Sequence, residues 1–291
     1  MRGRIAPFRI TDGHRFKLHA HDPADTGRLT SKDEAADLLA RGLEALRDQH
    51  EKLYAQGRWA VLLIFQAMDA AGKDSVIQHV MSGLNPQGCQ VSSFKTPSAE
   101  ELAHDFLWRT ALRLPPRGQI GVFNRSYYEE VLVVRVHPEI LAAQRLPEAV
   151  VSKRIWDERF QDIVCFERHL ARNGVAILKF FLHVSKEEQK RQFLQRLDTP
   201  SKNWKFSLGD VRERARWSDY MAAYQAMIRQ TATPEAPWFV VPADHKWFTR
   251  LVVAEAIVDA MKRLDLHFPT VGRDRKKELK AAERALRRKG A

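Results

Sequence analysis

Trp59-Ala60-Val61-Leu62-Leu63-Ile64-Phe65, followed by Gln66-Ala67-Met68-Asp69-Ala70-Ala71-Gly72-Lys73-Asp74-Ser75, is the stretch on which the fold turns. The first seven residues are apolar without alternation and of strand length, the pattern of a strand buried on both faces. A small-residue turn with one glycine follows, and Ser75 to Met81 reads as helix before the Gly83, Asn85-Pro86 and Gly88 break. The same cycle recurs downstream. Strands are expected at 90–94, 120–123, 175–184 and 238–241, and helices at 99–112, 147–172, 186–197, 210–230 and 246–265. Strands alternating with helices require crossover connections and a parallel sheet covered on both faces. The fold class expected is α/β, a three-layer α/β/α sandwich.

Upstream, residues 1–30 lack periodicity and read as an extended arm. Thr30-Ser31-Lys32-Asp33-Glu34 offers a capping-box start, and Ala36, Leu39, Leu43, Leu46 and Leu53 recur at helical spacing to about Ala55. No linker divides the remainder. The expected organisation is a single domain over 1–291, with an N-terminal arm and helix (1–56), an α/β core (57–265) and a basic helical tail (266–291).

Composition narrows the class. With 291 residues, 44% hydrophobic and 29% charged, the chain is neither low-complexity nor disordered. Its apolar runs fall far short of the roughly 18 residues of a membrane helix, and the N-terminus has no apolar signal region. Cys89 and Cys165 stand apart without metal-ligand spacing. A cytoplasmic, reducing location without membrane association is expected. Net charge is +12, and from Gly272 onward nine Lys/Arg face three Asp/Glu. That local +6 reads as a solvated helix, and the other +6, on the body, points to an anionic partner.

Ligands in parallel sheets bind at the carboxyl ends of strands. There, Ala67 to Asp74 departs from the phosphate-loop pattern G-x-x-x-x-G-K-[ST] at its first and last positions, but keeps Gly72-Lys73 between a buried strand and a helix. Backbone amides of Ala70, Ala71, Gly72 and Asp74 would converge on an anion, with Lys73 adding a point charge. Asp69, an acid within such a cradle, suits a phosphate-bridging Mg²⁺ or the orientation of an attacking phosphate oxygen. A second cluster follows the 120–123 strand: Asn124, Arg125, Glu129 and Glu130, extended by Arg135. A third lies at Asp198 to Asp210, where Lys202, Lys205 and then Arg212 and Arg216 have the composition of a mobile basic lid over 199–224. Trp217, Tyr220 and Tyr224 read as a packing stripe.

Six segments in this order resemble the polyphosphate kinase type 2 family from about Leu29 to Leu264. They are Met68–Asp74, Phe123–Glu130, Lys179–Ser185, Asn203–Ser207, Arg216–Tyr220 and Pro242–Trp247. The resemblance implies a P-loop kinase-like fold and transfer of a terminal phosphoryl group between inorganic polyphosphate and nucleotides, ADP to ATP and AMP to ADP, the latter from the likeness of Tyr127–His137 to the AMP-accepting subgroup. It implies catalytic roles for Asp69, Lys73, Arg125 and Glu130. Mg²⁺, with Mn²⁺ as a substitute, would sit on Asp69, Asn124 and Glu130, although many members have Asp where Asn124 stands. Ala70, Ala71, Gly72, Asp74, Lys95, Asn124, Glu129, Arg135, Lys202, Lys205, Arg212 and Arg216 form the expected substrate-binding set. Adenine nucleotides, or guanine nucleotides as a second choice, are the expected partners, without nucleic acid, in a homodimer or homotetramer. Two alternatives stay open from the residues alone: an ATP-dependent nucleoside or nucleotide kinase on the same fold, and a non-catalytic polyanion or nucleic-acid binder.

Overall fold

A computed structural model describes residues 2–287, less the side chains of Arg2, Lys202 and Lys205. Its sheet comprises β1 (Arg9–Ile10), β2 (Ala60–Ala67), β3 (Cys89–Ser93), β4 (Ile120–Asn124), β5 (Val175–His183) and β6 (Trp238–Pro242), in the order β1-β6-β5-β2-β4-β3. Every pair is parallel except β1 on β6. The apolar run that opened the sequence is therefore the central strand. Val61 to Ile64 are fully buried, as expected where both faces are covered. β4 and β5 flank β2 in register, with Phe65 opposite both Asn124 and Phe180. The chain leaves β2 for β3 and β4 on one side and later returns to β5 on the other. That reversal makes the carboxyl end of β2 a switch-point crevice.

Period-2 alternation along β5 sorts the helices. Lys179 reaches Glu167 of the Ile155–Arg172 helix, and Phe181 stacks on Tyr224 of the Trp217–Thr231 helix at 4.3 Å between centroids. The helix Lys246–Lys262 packs on β5 and β6 and, on its outer side, against Lys32–Gln56. It is apolar nearly all round and almost wholly buried, as a helix between two layers must be. Ser31 caps Lys32–Gln56 by accepting from the amides of Asp33 and Glu34.

Several boundaries differ from the sequence expectation, each for a local reason. The 99–112 helix is two short ones, Ala99–Leu102 and Trp108–Ala111, because Asp105 accepts from the Leu107 amide and restarts the chain. The 147–172 helix begins only at Ile155, after a turn in which Ser152 accepts from Arg154. The 210–230 helix is broken at Arg216 into Leu208–Ala215 and Trp217–Thr231. Tyr220 and Tyr224 are buried in the core, so the packing stripe is confirmed and the solvent-facing part of the 199–224 lid ends near Arg216. The arm is not simply extended: it supplies β1, and Ile5, Phe8, Phe16, Leu18 and Leu29 join the hydrophobic cluster. Among the described residues no helix is long and apolar enough to cross a membrane. The tail forms the helix Arg273–Arg287, exposed throughout. Residues 288–291 of the expected basic tail lie outside the described residues.

Candidate active site

β2 ends at Ala67, and the chain turns through Met68–Gly72 into the helix Lys73–Val80. Ala70 (φ +65°) and Gly72 (φ +94°) both adopt the left-handed region, and Arg125 does so at the end of β4 (φ +64°). Two of these are non-glycine residues, a conformation that costs of order 1–2 kcal/mol and clusters at functional sites. The turn is open. A Cβ placed on Gly72 would meet no atom within 4 Å. Among the described residues, the amides of Gly72, Lys73, Asp74 and Ser75 have no acceptor. These are the orphan donors of a helix N-terminus, aimed where an anion would sit.

Lys73 is folded back over this turn. Its Nζ donates to the carbonyls of Ala67 (2.7 Å) and Met68 (3.3 Å), and the residue is only 9% exposed. Burial, reinforced by the neighbouring positive charge of Arg125, lowers its pKa to about 8 despite the opposing carboxylates of Asp69, Glu129 and Asp74.

Arg125 is the hinge of the site. One guanidinium nitrogen donates to Asp69 at 2.8 Å, another to Glu129 at 3.3 Å, and Gln66 steadies Glu129 at 2.7 Å. The Glu129 charge, with Asp69 behind it, raises the Arg125 pKa further, so this cation is fixed. The phosphate-loop departure at Asp74 is matched across the crevice: Asn124 Nδ2 donates to Asp74 Oδ1 at 2.7 Å. The amide at the end of β4 thus holds the acid in the first turn of the Lys73–Val80 helix.

The expected acids do not all converge. Tyr127–Val131 is a 3-10 turn, so successive side chains diverge. Glu130 is turned to Arg159 (3.3 Å) and to the Gln144 amide (2.9 Å), is nearly buried, and has its pKa raised by that burial. Glu129, not Glu130, shares Arg125 with Asp69. Arg135 is also set apart, its guanidinium 5.9 Å from the Phe160 ring centroid and its pKa lowered by burial. Lys95 is exposed at the rim, its carbonyl accepting from Arg109.

Beyond Arg125 opens a cavity of about 350 Å³, lined by Lys95, Phe106, Arg109, Arg125, Glu129, Glu130 and Gln144 among others. The sequence reading missed Phe106, Arg109, Gln144 and Arg159 here, because only tertiary structure brings the 95–109 and 133–159 segments together. It also missed Gln189, which bridges lid and loop: its amide donates to the Asp69 carbonyl (3.0 Å) and its oxygen accepts from Arg214 (3.0 Å). Arg216 donates to the Val136 carbonyl, Glu213 takes bonds from Tyr220 and His137, and Arg212 is exposed. Asp210 lies close enough to Asp69 for that charge to add to the burial raising its pKa. The side chains of Lys202 and Lys205 lie outside the described residues.

Residues 29–269 match the family described as Polyphosphate kinase 2 (PPK2). The chain belongs to the polyphosphate kinase 2 family. It is 51% identical over 280 residues to an ADP-polyphosphate phosphotransferase of Rhodopseudomonas palustris, covering 96% of this chain and 97% of the relative. It is 42% identical over 266 residues to an AMP/ADP-polyphosphate phosphotransferase of Meiothermus ruber, covering 90% and 94%. The crystal structure of Polyphosphate Kinase 2 from Arthrobacter aurescens TC1 superposes with a TM-score of 0.86 at 41% identity, covering 96% and 94%. Membership in the polyphosphate kinase 2 family sets the open turn, the Arg125 hinge and the cavity in one frame, with the P-loop-like strand order as its scaffold.

Proposed function

We propose that this chain moves a terminal phosphoryl group between inorganic polyphosphate and a nucleotide, converting ADP to ATP and AMP to ADP. The observation that carries the reading is the position of Arg125, which touches the acid of an open anion-binding turn on one side and lines the cavity on the other. The nucleoside occupies the cavity between Lys95 and Gln144, so its terminal phosphate meets the guanidinium. The polyphosphate end lies on the free amides of Gly72–Ser75, with the Lys73 ammonium beside it.

The attacking oxygen belongs to the nucleotide phosphate. A new P–O bond forms as the P–O–P link to the shortened polyphosphate breaks, and the electron pair leaves with that chain. No covalent protein intermediate is required, since phosphoryl transfer asks mainly for in-line positioning and charge stabilisation. Lys73 and Arg125 hold the transferring charge from two sides. Glu129 fixes the direction of Arg125, Asp69 orients the loop, and the 199–216 lid excludes water.

Mg²⁺ fits the residues present in one form. Among the described residues there is no ready-made cluster of three His, Cys, Asp or Glu ligands. Mg²⁺, however, keeps several waters and is held by one or two carboxylates plus substrate phosphates. Asp69, partly exposed, and Asp74, exposed across from Asn124, supply that donor set. Glu130 is occupied by Arg159 and is left out of it. Held there, the ion would supply positive charge to offset that of the phosphates. A cytoplasmic location and a homo-oligomeric assembly complete the reading.

The test is chromatographic: AMP with polyphosphate and Mg²⁺ should yield ADP first and ATP later, with no other donor. ATP formation from ADP without any ADP from AMP would restrict the cavity to diphosphates. ATP consumption with a nucleoside acceptor, and none with polyphosphate, would favour the kinase alternative.

A further inference from the structure

The helix Arg273–Arg287 is unexplained by the catalytic site. All of its residues are exposed, and the chain reaches it through 266–272, where Leu266 is buried and Gln56 holds the Asp265 carbonyl and His267. At about 100° per residue, Arg273, Lys276, Lys277, Lys280, Arg284 and Arg287 fall within an arc of about 100° on one face. Ion pairs within the helix join Arg275 to Glu278, Lys277 to Asp274 and Arg287 to Glu283. Arg273, Lys276, Lys280 and Arg284 have no carboxylate partner among the described residues. Arg273, Lys280 and Arg284 lie along the middle of the stripe and Lys276 at its edge, the four at spacings of three and four.

Like charges at that spacing destabilise a helix, and an exposed helix of this length is marginal on its own. A linear polyanion along the stripe would reverse the sign of that repulsion. We infer that the stripe is a docking strip for the stretch of inorganic polyphosphate that extends beyond the active site, a site separate from the catalytic crevice. The inference rests on the proposed function, because a donor chain longer than the crevice must leave it. The strip is about 21 Å long at 1.5 Å per residue, and it recognises repeating phosphate charge without any base. A lipid surface is a poorer occupant, since an interfacial helix needs a broad apolar face. Here Leu279 and Leu286 are the only large apolar residues, about 20° apart on the helical wheel, a narrow strip flanked by Arg275 and Glu283. A single-stranded nucleic acid is poorer too, because the helix offers no aromatic side chain for stacking. Holding the distal chain raises the effective concentration of its end at the crevice, so the strip acts on long donors and not on short ones.

The experiment compares the full chain with Lys276→Gln/Lys280→Gln/Arg284→Gln, exposed positions at which glutamine preserves helix propensity. ATP formation from ADP is followed with long-chain polyphosphate and with tripolyphosphate over a range of salt. The expected result is a KM for long-chain donor raised about tenfold, with kcat and the tripolyphosphate KM unchanged. The slope of log KM on log salt for the long donor should flatten by about two, from roughly 0.7 per phosphate contact on a flexible polyanion. An unchanged long-chain KM, or an equal loss with tripolyphosphate, overturns the strip. So does an unchanged long-chain KM together with weaker binding of a single-stranded oligonucleotide or an altered sedimentation coefficient, which would reassign the face to nucleic acid or to a second copy. If the unsubstituted chain makes no ATP from either donor, it is the proposed function that fails. Full-chain Lys73→Ala then decides the strip separately, which is supported if this variant binds long-chain polyphosphate in a manner lost with the triple substitution and overturned if it does not.

Discussion

Lys73→Met should make the protein more stable at neutral pH while removing its turnover. Burial holds the Lys73 pKa near 8, against 10.5 for a free lysine. Each pKa unit corresponds to 1.36 kcal/mol, so carrying this ammonium in the folded state costs on the order of 3 kcal/mol below pH 8. Its two bonds to the Ala67 and Met68 carbonyls are worth about 0.5–1.5 kcal/mol each and are lost in the variant. The net gain for Lys73→Met at pH 7 is therefore about 1–2 kcal/mol. The sign with pH follows from linkage. Between about pH 8 and 10.5 the unfolded chain still holds the proton that the folded chain has released, so wild-type stability rises through that window. The variant's advantage should shrink and vanish by pH 10. Urea unfolding of both proteins at pH 7 and pH 10 measures the gap. Calorimetry of tripolyphosphate binding to wild type at pH 8, in two buffers of different ionisation enthalpy, should show uptake of about half a proton as the anion restores the ammonium. A variant no more stable than wild type at pH 7, or a gap independent of pH, would refute the assignment of a strained, charged lysine under the loop.

Other outcomes follow from the same geometry. Lys179 and Glu167 form a fully buried pair at 2.5 Å, with Tyr127 and Tyr128 donating to the same carboxylate. Glu167→Gln alone should cost about 3–5 kcal/mol by stranding the ammonium, and Glu167→Leu/Lys179→Met should cost much less than the sum of its single changes in a denaturant double-mutant cycle. Additive losses would mean that the pair is not coupled. Gly72→Ala meets no neighbour but forces an L-residue to φ +94°, so it should lose about 1–2 kcal/mol and raise the polyphosphate KM; a silent substitution would show that the turn relaxes freely. Asp69→Asn should lower kcat at least ~100-fold, as loss of a preorganised charge does. Glu130→Gln should act mainly on the nucleotide KM through Arg159, and comparable kcat losses for the two would restore Glu130 to the reacting centre.

The fold was legible where one interaction dominated. The unbroken apolar run before Gln66 has the length and pattern of a strand buried on both faces, and it is the central one. The glycine-lysine turn after it announced the crevice, because a switch point has one location in such a sheet. What stayed hidden depends on side-chain direction and on distant segments. Glu129 and Glu130 are adjacent in sequence, and only the 3-10 turn at Tyr127–Val131 decides which faces Arg125. Arg135 carries the same charge as Arg125 but lies over Phe160. Phe106, Arg109 and Gln144 had no motif of their own, and the breaks at Asp105 and Arg216 arise from single local bonds and dihedrals that periodicity does not register.

The central claim is that the Gly72–Ser75 turn and Arg125 together transfer a phosphoryl group from an inorganic chain. Luciferase emission from ADP, polyphosphate and Mg²⁺, with no other phosphate donor, measures it directly. The account predicts light well above a donor-free control, abolished in Lys73→Ala and in Arg125→Ala while both remain folded. Emission no higher than the control, or undiminished in those variants, would contradict it.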